Sequence, residues 1–276
     1  MTAEIAGDIT GDTTKTPITG AASPRFIKAS GLFGSFFLLL LIVFAWWALT
    51  AAGWVSRVFL PSPQATWVSL MEGLTDGDLL AYTGATLSRM LLGWLLASLI
   101  GVALGSVIGL SATARAYLQP TLEFIRPLPA SALLPLAIAI FGLSPAMVLS
   151  VVAFGAMWPV LLATVHGFGS VPAQLQEVAR CLELTRPAYA LKVCLPNAMP
   201  DIFAGMRLSL TVSLIVSVVG EMIASQPGLG QSILLAARSF RASELFAGIV
   251  LLGLMGFVSS AVLAVLGKRF LKWQKP

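Results

Sequence analysis

The chain has 276 residues, of which 57% are hydrophobic and only 11% are charged, whereas soluble domains carry roughly 25% charged residues. Its net charge of +5 comes from basic residues in patches beside apolar runs, not in the aromatic-interleaved stripes typical of nucleic-acid binding. This composition excludes a soluble catalytic domain and a nucleic-acid partner. It predicts an all-α protein of the lipid bilayer, with about six helices of roughly 20 residues each.

The first 30 residues are expected to form a disordered cytosolic tail, because they are rich in Thr and Gly. Asp8 and Asp12 stand where a secretory signal would carry positive charge, so the first apolar run is expected to be an uncleaved anchor. Residues 31–271 are predicted to form the transmembrane domain, and residues 272–276 a short C-terminal cytosolic tail.

Apolar runs predict the membrane spans. The six runs are 32–52, 87–110, 128–143, 145–165, 205–225 and 246–266. The third run is the shortest and contains Pro129 and Pro135, so it is expected to be a broken or tilted helix that lines a wet space.

The basic residues predict the orientation. With both termini in the cytosol, only Arg57, Arg89, Arg238 and Arg241 of the 17 Lys and Arg residues lie outside. This asymmetry is what the positive-inside rule requires.

A proline-punctuated segment at 167–200 separates the fourth and fifth runs and is too long for a simple turn. Ser170 with Pro172 is expected to start one helix, and Thr185 with Pro187 a second. Cys181 and Cys194 both lie in this predicted cytosolic segment, where thiols stay reduced. They are assigned no role.

Two stripes with a four-residue period mark helix faces. In the second run, Ala97, Gly101, Gly105 and Gly109 predict a seam where another helix packs closely.

In the fifth run, Ser209, Ser213, Ser217 and Glu221 form a polar stripe, and Glu221 is the only acidic residue inside a predicted span. One interpretation is that the stripe lines a solute path. The alternative is that the hydroxyls bond to their own helix while Glu221 pairs with Arg238, Arg241 or Arg89.

Other signals of catalysis or cofactor binding are weak. His166 is the only histidine, so a multi-histidine metal site is excluded. The chain has no GxxxxGK[ST] phosphate loop. No catalytic, cofactor-binding or metal-binding residue is predicted, and energy for uphill transport has to come from a gradient or a partner.

The 167–200 segment resembles the cytosolic loop of the permease subunits of binding-protein-dependent ABC importers. That loop has the pattern EAA, three residues, G, nine residues, I-x-LP. Glu177, Ala179, Leu195 and Pro196 match the pattern, and Val193 is a mild replacement for Ile. Val178 and Glu183 depart from the family's Ala and Gly. A glycine in place of Glu183 would make the tight turn that ends the first loop helix.

Segments outside the loop are similar to the branch that handles nitrate, sulfonates, taurine and bicarbonate. They are Leu60-Pro61-Ser62-Pro63, Arg126-Pro127-Leu128-Pro129 with Pro135 and Phe141-Gly142, and Glu221 with Gly228-Leu229-Gly230. With the loop, the resemblance extends from about residue 60 to residue 272.

The resemblance implies a type I ABC importer permease in the bacterial cytoplasmic (inner) membrane, without a cofactor. It implies a pore of two permeases, expected to be a homodimer, on two cytosolic ATPase subunits, fed by an extracytoplasmic solute-binding protein. The solute is expected to be a small anion or a sulfonate-like compound. Glu177, Ala179 and Arg180 are expected to dock the ATPase, while Leu195 and Pro196 fix how the loop re-enters the fifth span.

Two rival classes stay open from the residues alone. A gradient-driven transporter or channel would account for the spans, but it would typically carry ionisable groups near the bilayer midplane. An intramembrane enzyme would need a nucleophile–base pair or a metal cluster, and the isolated His166 supplies neither.

Overall fold

The computed structural model describes residues 24–125 and 128–271, and they contain helices and connections but no strand. Helix α1 begins at Pro24, inside the segment expected to be a tail. Residues 1–23 of that segment and residues 272–276 lie outside the described residues. The helices are α1 (Pro24–Ala51), α2 (Pro63–Thr75), α3 (Leu79–Gly109), α4 (Ala112–Ile125), α5 (Leu134–Phe141), α6 (Pro145–Gly169), α7 (Ala173–Cys181), α8 (Arg186–Tyr189), α9 (Leu195–Ala224), α10 (Leu229–Arg238) and α11 (Ala242–Phe270).

Four helical segments in the described part of the chain are long and apolar enough to cross a membrane. They are α3, α6, the continuous stretch from α8 to α9, and α11. A fifth span is possible if α4 and residues 130–141 form one crossing, bent by 80°. The first predicted run lies in α1. The apolar part of that helix is Phe37–Ala51, which is shorter than the four spans.

The third predicted run is a broken helix, as its prolines suggested. A 3₁₀ turn at Ala130–Leu133 leads into α5, which has only 8 residues. Eight residues of helix rise roughly 12 Å, so α5 alone is too short to cross the roughly 30 Å hydrocarbon core.

Helices α3 and α6 pack through the predicted stripe of small residues. A Cβ added to Gly101 would come within 3.0 Å of the Met157 carbonyl oxygen, and one added to Gly105 within 2.8 Å of the Leu161 carbonyl oxygen. Side chains at these positions would therefore push the two backbones apart. Ala97, Gly101, Gly105 and Gly109 are all buried, which confirms the predicted packing seam.

Helix α6 also packs closely on α9. Its start is capped, because the Ser144 hydroxyl accepts a hydrogen bond of 3.2 Å from the Met147 amide and Pro145 occupies the first turn. Further along, a Cβ added to Gly205 of α9 would lie 2.7 Å from the Pro159 carbonyl oxygen. Helices α3, α6 and α9 thus form the centre of the bundle.

The bundle has two distinct ends. At the loop end, Phe168, Cys194 and Ala198 of the 167–200 segment form a buried apolar cluster with Ile202 of α9. At the opposite end, called here the Glu221 end, the short helices α2 and α10 pack with α3 and α11 around Leu70, Leu229 and Met255.

Candidate functional site: the loop helices and the buried Glu221 cluster

The first loop helix, α7, projects from the loop end with one face against the bundle. Ala179 is its one buried residue, while Glu177 and Arg180 are exposed. The expected start at Ser170 is displaced, because the helix begins at Ala173 with Pro172 at the N-cap position. The Ser170 hydroxyl instead donates a hydrogen bond of 3.1 Å to the Gly167 carbonyl at the end of α6.

Glu183 makes the turn for which the family pattern has a glycine. Its φ is +49°, in the left-handed region that L-residues rarely adopt. The Glu183 amide donates to the Arg180 carbonyl at 3.0 Å, and the Leu184 amide donates to the Ala179 carbonyl at 3.1 Å. These two bonds form a Schellman motif. The tight turn is therefore kept without glycine, at a cost of roughly 1–2 kcal/mol of backbone strain.

The second part of the loop joins α9 without a break. Thr185 is the N-cap of α8, with Pro187 in the first turn, as the sequence predicted. A π-helical segment, Ala190–Cys194, then leads directly into α9, where Leu195 is half-buried and Pro196 occupies the first turn. The loop is thus continuous with a central helix.

The predicted polar stripe on α9 faces the helix interface. Ser209, Ser213, Ser217 and Glu221 are all 0% exposed. The Ser209 hydroxyl donates to the Ala156 carbonyl of α6 at 2.6 Å, and the Ser213 hydroxyl donates to the Ser209 carbonyl at 3.0 Å. Among the described residues, the Ser217 hydroxyl has no hydrogen-bond partner. Only Ser213 therefore bonds to its own helix, as the alternative expected, whereas Ser209 bonds across to α6.

Glu221 is fully buried at the centre of a polar cluster. Its Oε1 accepts a hydrogen bond of 2.7 Å from Arg89 of α3, which selects Arg89 among the three arginines considered. Its Oε2 accepts hydrogen bonds of 2.9 Å from the Thr86 hydroxyl and from the Gly230 amide. A buried carboxylate requires such compensation. Glu221, Arg89, Thr86 and Gly230 are called the Glu221 cluster below.

The cluster also caps α10. The first amides of a helix lack partners inside the helix, and two of these in α10 are satisfied by other helices. The Leu229 amide donates to the Thr86 hydroxyl at 2.9 Å, and the Gly230 amide to Glu221. A Cβ on Gly228 would collide with the Glu221 carboxylate. The Gly228-Leu229-Gly230 segment is therefore the turn that brings the α10 N-terminus onto Glu221.

A groove runs along another face of α9. It has a volume of about 560 Å³ and is lined by residues of α6, of α9 and of the segment around Ala130. Leu208, Val212 and Val219 contribute from α9, and Trp158 and Ala163 from α6. None of the four predicted stripe residues lines it. The lining is mainly apolar, with Ser131 as its hydroxyl side chain.

Sequence reasoning missed Thr86 and this groove. Thr86 is separated from Glu221 by 135 residues, and nothing in its local sequence marks it. No group of three or more His, Cys, Asp or Glu residues that could hold a metal ion occurs among the residues that the structure describes.

Residues 97–274 match the family model described as the binding-protein-dependent transport system inner membrane component. The chain belongs to this family. Members of the family are inner membrane components of binding-protein-dependent transport systems, so the chain is a permease subunit of an ATP-driven importer, and ATP hydrolysis belongs to a separate ATPase subunit.

Relatives support the family assignment over the whole chain. The permease is 32% identical to the Bacillus subtilis (strain 168) protein SsuC, named for aliphatic sulfonates transport, over 99% of this chain and 98% of that one. It is 30% identical to the taurine transport system permease TauC of Escherichia coli (strain K12), over 85% of this chain and 87% of that one.

A solved structure has the same fold. The permease superposes on a chain of the inward-facing MetNI methionine ABC transporter with a TM-score of 0.61 and 19% identity, over 72% of this chain and 96% of the other. The expected type I importer fold is therefore confirmed.

Proposed function

We propose that this permease carries a small oxyanion, of the sulfonate or nitrate class, and that α7 is its docking element for the ATPase. The observation that carries the proposal is the geometry of α7. It is a short helix with Glu177 and Arg180 exposed on its surface and Ala179 buried against the bundle. An exposed amphipathic helix of this kind fits a groove in a soluble partner.

The loop is rigid enough to transmit movement. The Schellman turn at Glu183 fixes the end of α7, and the side-chain amide of Asn197 donates to the Gly167 carbonyl at 3.0 Å, which ties the start of α9 to the end of α6. Movement of α7 by an ATPase pair would shift α6 and α9 together. Leu195 and Pro196 lie where that movement enters α9.

The proposed orientation places the loop end in the cytosol and the Glu221 end outside. The loop end carries six basic residues, Arg115, Arg180, Arg186, Lys192, Lys268 and Arg269, whereas the Glu221 end carries four, Arg57, Arg89, Arg238 and Arg241. This distribution follows the positive-inside rule. The extracytoplasmic binding protein would then approach the Glu221 end.

The groove on α9 is the proposed translocation path, completed by a second copy of this chain. Leu208 and Ile215 on this part of α9 are 64% and 58% exposed, which leaves an apolar face for a partner helix or lipid. In this arrangement the serine stripe and Glu221 form the wall behind the path. They hold the α9 face in place and do not contact the solute.

The proposed solute class rests on the relatives. Proteins 30% or more identical to this chain are named for aliphatic sulfonates, nitrate and taurine. These compounds share a compact oxyanion group.

Docking is tested by co-purification of the permease with its ATPase and by solute uptake in reconstituted vesicles. Glu177→Arg and Ala179→Asp are expected to reduce both association and uptake at least tenfold. The matched control is Glu72→Arg, which makes the same charge change on the exposed surface of α2 and is expected to retain ATPase association. Normal association and uptake in both loop variants would refute the assignment.

A further inference from the structure

A cleft at the loop end is not explained by the docking role. It has a volume of about 780 Å³ and lies between the α7–α8 hairpin and the corner where α3 meets α4. Arg115 of α4, Arg180 of α7 and Arg186 of α8 line it. Glu183 is the one acidic lining residue, so the charged residues of the lining sum to +2.

The three arginines lack acidic partners. Within residues 24–125 and 128–271, the ion pairs are Arg89–Glu221 and Arg241–Glu244, and neither involves the cleft. Arg115 is half-buried, and its guanidinium lies against Gly169 so closely that a Cβ on that glycine would collide with it. At least one positive charge is therefore held against the cleft wall by packing.

The walls combine charge with apolar surface. Phe168, Leu110 and Leu184 also line the cleft. Guanidinium groups bind phosphate and sulfonate-type oxygens through paired N–H donors. The volume lies in the usual range of roughly 300–1,000 Å³ for small-ligand sites. Basic pockets between the cytoplasmic ends of membrane helices are also typical sites for anionic lipid head groups.

We infer that this cleft binds a compact oxyanion group, supplied either by an anionic phospholipid head group or by a free oxyanion such as phosphate. The bound group would bridge Arg115 on the bundle to Arg180 and Arg186 on the loop helices. Because only Ala179 of α7 is buried, this bridge would restrict the movement of α7. The site goes beyond the proposed function, since Arg115 and Arg186, which the test below changes, take no part in the proposed docking.

The test measures the melting temperature of the full-length permease in an uncharged detergent. One arm adds phosphatidylglycerol, with phosphatidylcholine as the uncharged comparison. The other arm adds sodium phosphate, with sodium chloride at equal ionic strength. If only phosphatidylglycerol raises the melting temperature above its comparison, the bound group is a lipid head group. If only phosphate does so, the bound group is the free anion. No selective rise in either arm would overturn the proposal.

Matched variants locate the site. In the double variant Arg115→Gln/Arg186→Gln, the concentration of phosphatidylglycerol or phosphate that gives half of the melting-temperature rise is expected to increase at least fivefold. The control Lys192→Gln/Lys268→Gln removes the same charge from two exposed residues that do not line the cleft, and its response is expected to match the wild type. If binding weakens equally in both double variants, general charge attraction explains the response, and the proposed site is wrong.

A second double variant is available in case the glutamine substitutions prevent folding. Arg115→Lys/Arg186→Lys keeps the charge but loses the planar fork of donors. If the glutamine pair does not fold, the lysine pair takes its place and is expected to bind at least threefold more weakly than the wild type. Wild-type binding by the lysine pair, or by a folded glutamine pair, would contradict the assignment.

Discussion

The Arg89 guanidinium donates a hydrogen bond of 2.7 Å to the Glu221 carboxylate and so joins α3 to α9 across 132 residues of sequence. The arginine side chain is only 15% exposed and the glutamate is 0% exposed. Removing one partner would leave the other charge buried without compensation. The pair therefore stabilises the packing of α3, α9 and α10 at the Glu221 end.

The first prediction concerns this pair. Glu221→Ala and Arg89→Ala are each expected to lower the free energy of unfolding by about 3–5 kcal/mol, measured by denaturant titration in detergent. Arg241→Ala is the control, because Arg241 and Glu244 are 54% and 48% exposed and such pairs contribute about 0–1 kcal/mol. Similar losses at Arg89 and Arg241 would contradict the structural role.

The second prediction concerns the turn after α7. Glu183→Gly is expected to stabilise the folded loop by about 1 kcal/mol, because glycine adopts a positive φ without steric cost. Hydrogen exchange of the α7 amides measures this local stability. Gln174→Gly, within α7, is expected to destabilise that helix by about 1 kcal/mol and to speed the exchange of its amides. Faster exchange in Glu183→Gly would show that the left-handed turn is not the source of strain.

The third prediction concerns the seam between α3 and α6. Gly105→Ala is expected to cost about 1–3 kcal/mol, since the added Cβ meets Thr164 and the Leu161 carbonyl. Gly253→Ala is the matched control, because no atom lies within 4 Å of the Cβ that it adds. It is expected to be neutral or stabilising. Equal melting temperatures for the two variants would argue against close packing at Gly105.

The fourth prediction concerns the groove on α9. Val212→Trp places a bulky ring in the 560 Å³ groove and is expected to reduce uptake at least tenfold while the permease still binds its ATPase. Val262→Trp is the control, because Val262 is 53% exposed on α11 and lies outside the groove lining. If uptake falls equally in the two variants, the groove is not the translocation path.

The loop was predictable from the sequence because its signals are local. The fixed spacing from Glu177 to Pro196 resembles a family pattern, and Thr185 with Pro187 marks the second helix. The strained turn at Glu183 was not predictable, because a glutamate with positive φ has no sequence signature. Its two local hydrogen bonds, to the Arg180 and Ala179 carbonyls, close the turn.

The Glu221 cluster was only partly predictable. Periodicity placed the three serines and Glu221 on one face of α9, but periodicity does not say what packs against that face. The sequence left three arginine partners open, and the fold selected Arg89. Thr86 was not predicted, because it and Glu221 meet only when α3, α9 and α10 are assembled.

The loop must lie in the cytosol for the whole account to stand, and a native cysteine tests this. Cys181 on α7 is exposed, whereas Cys194 is buried. A membrane-impermeant maleimide should label Cys181 in inside-out vesicles and not in right-side-out vesicles, and bound ATPase should reduce that labelling. Asp76→Cys in a Cys181→Ser background provides the opposite-side control, since Asp76 is exposed at the Glu221 end. Labelling of Cys181 in right-side-out vesicles would contradict the account.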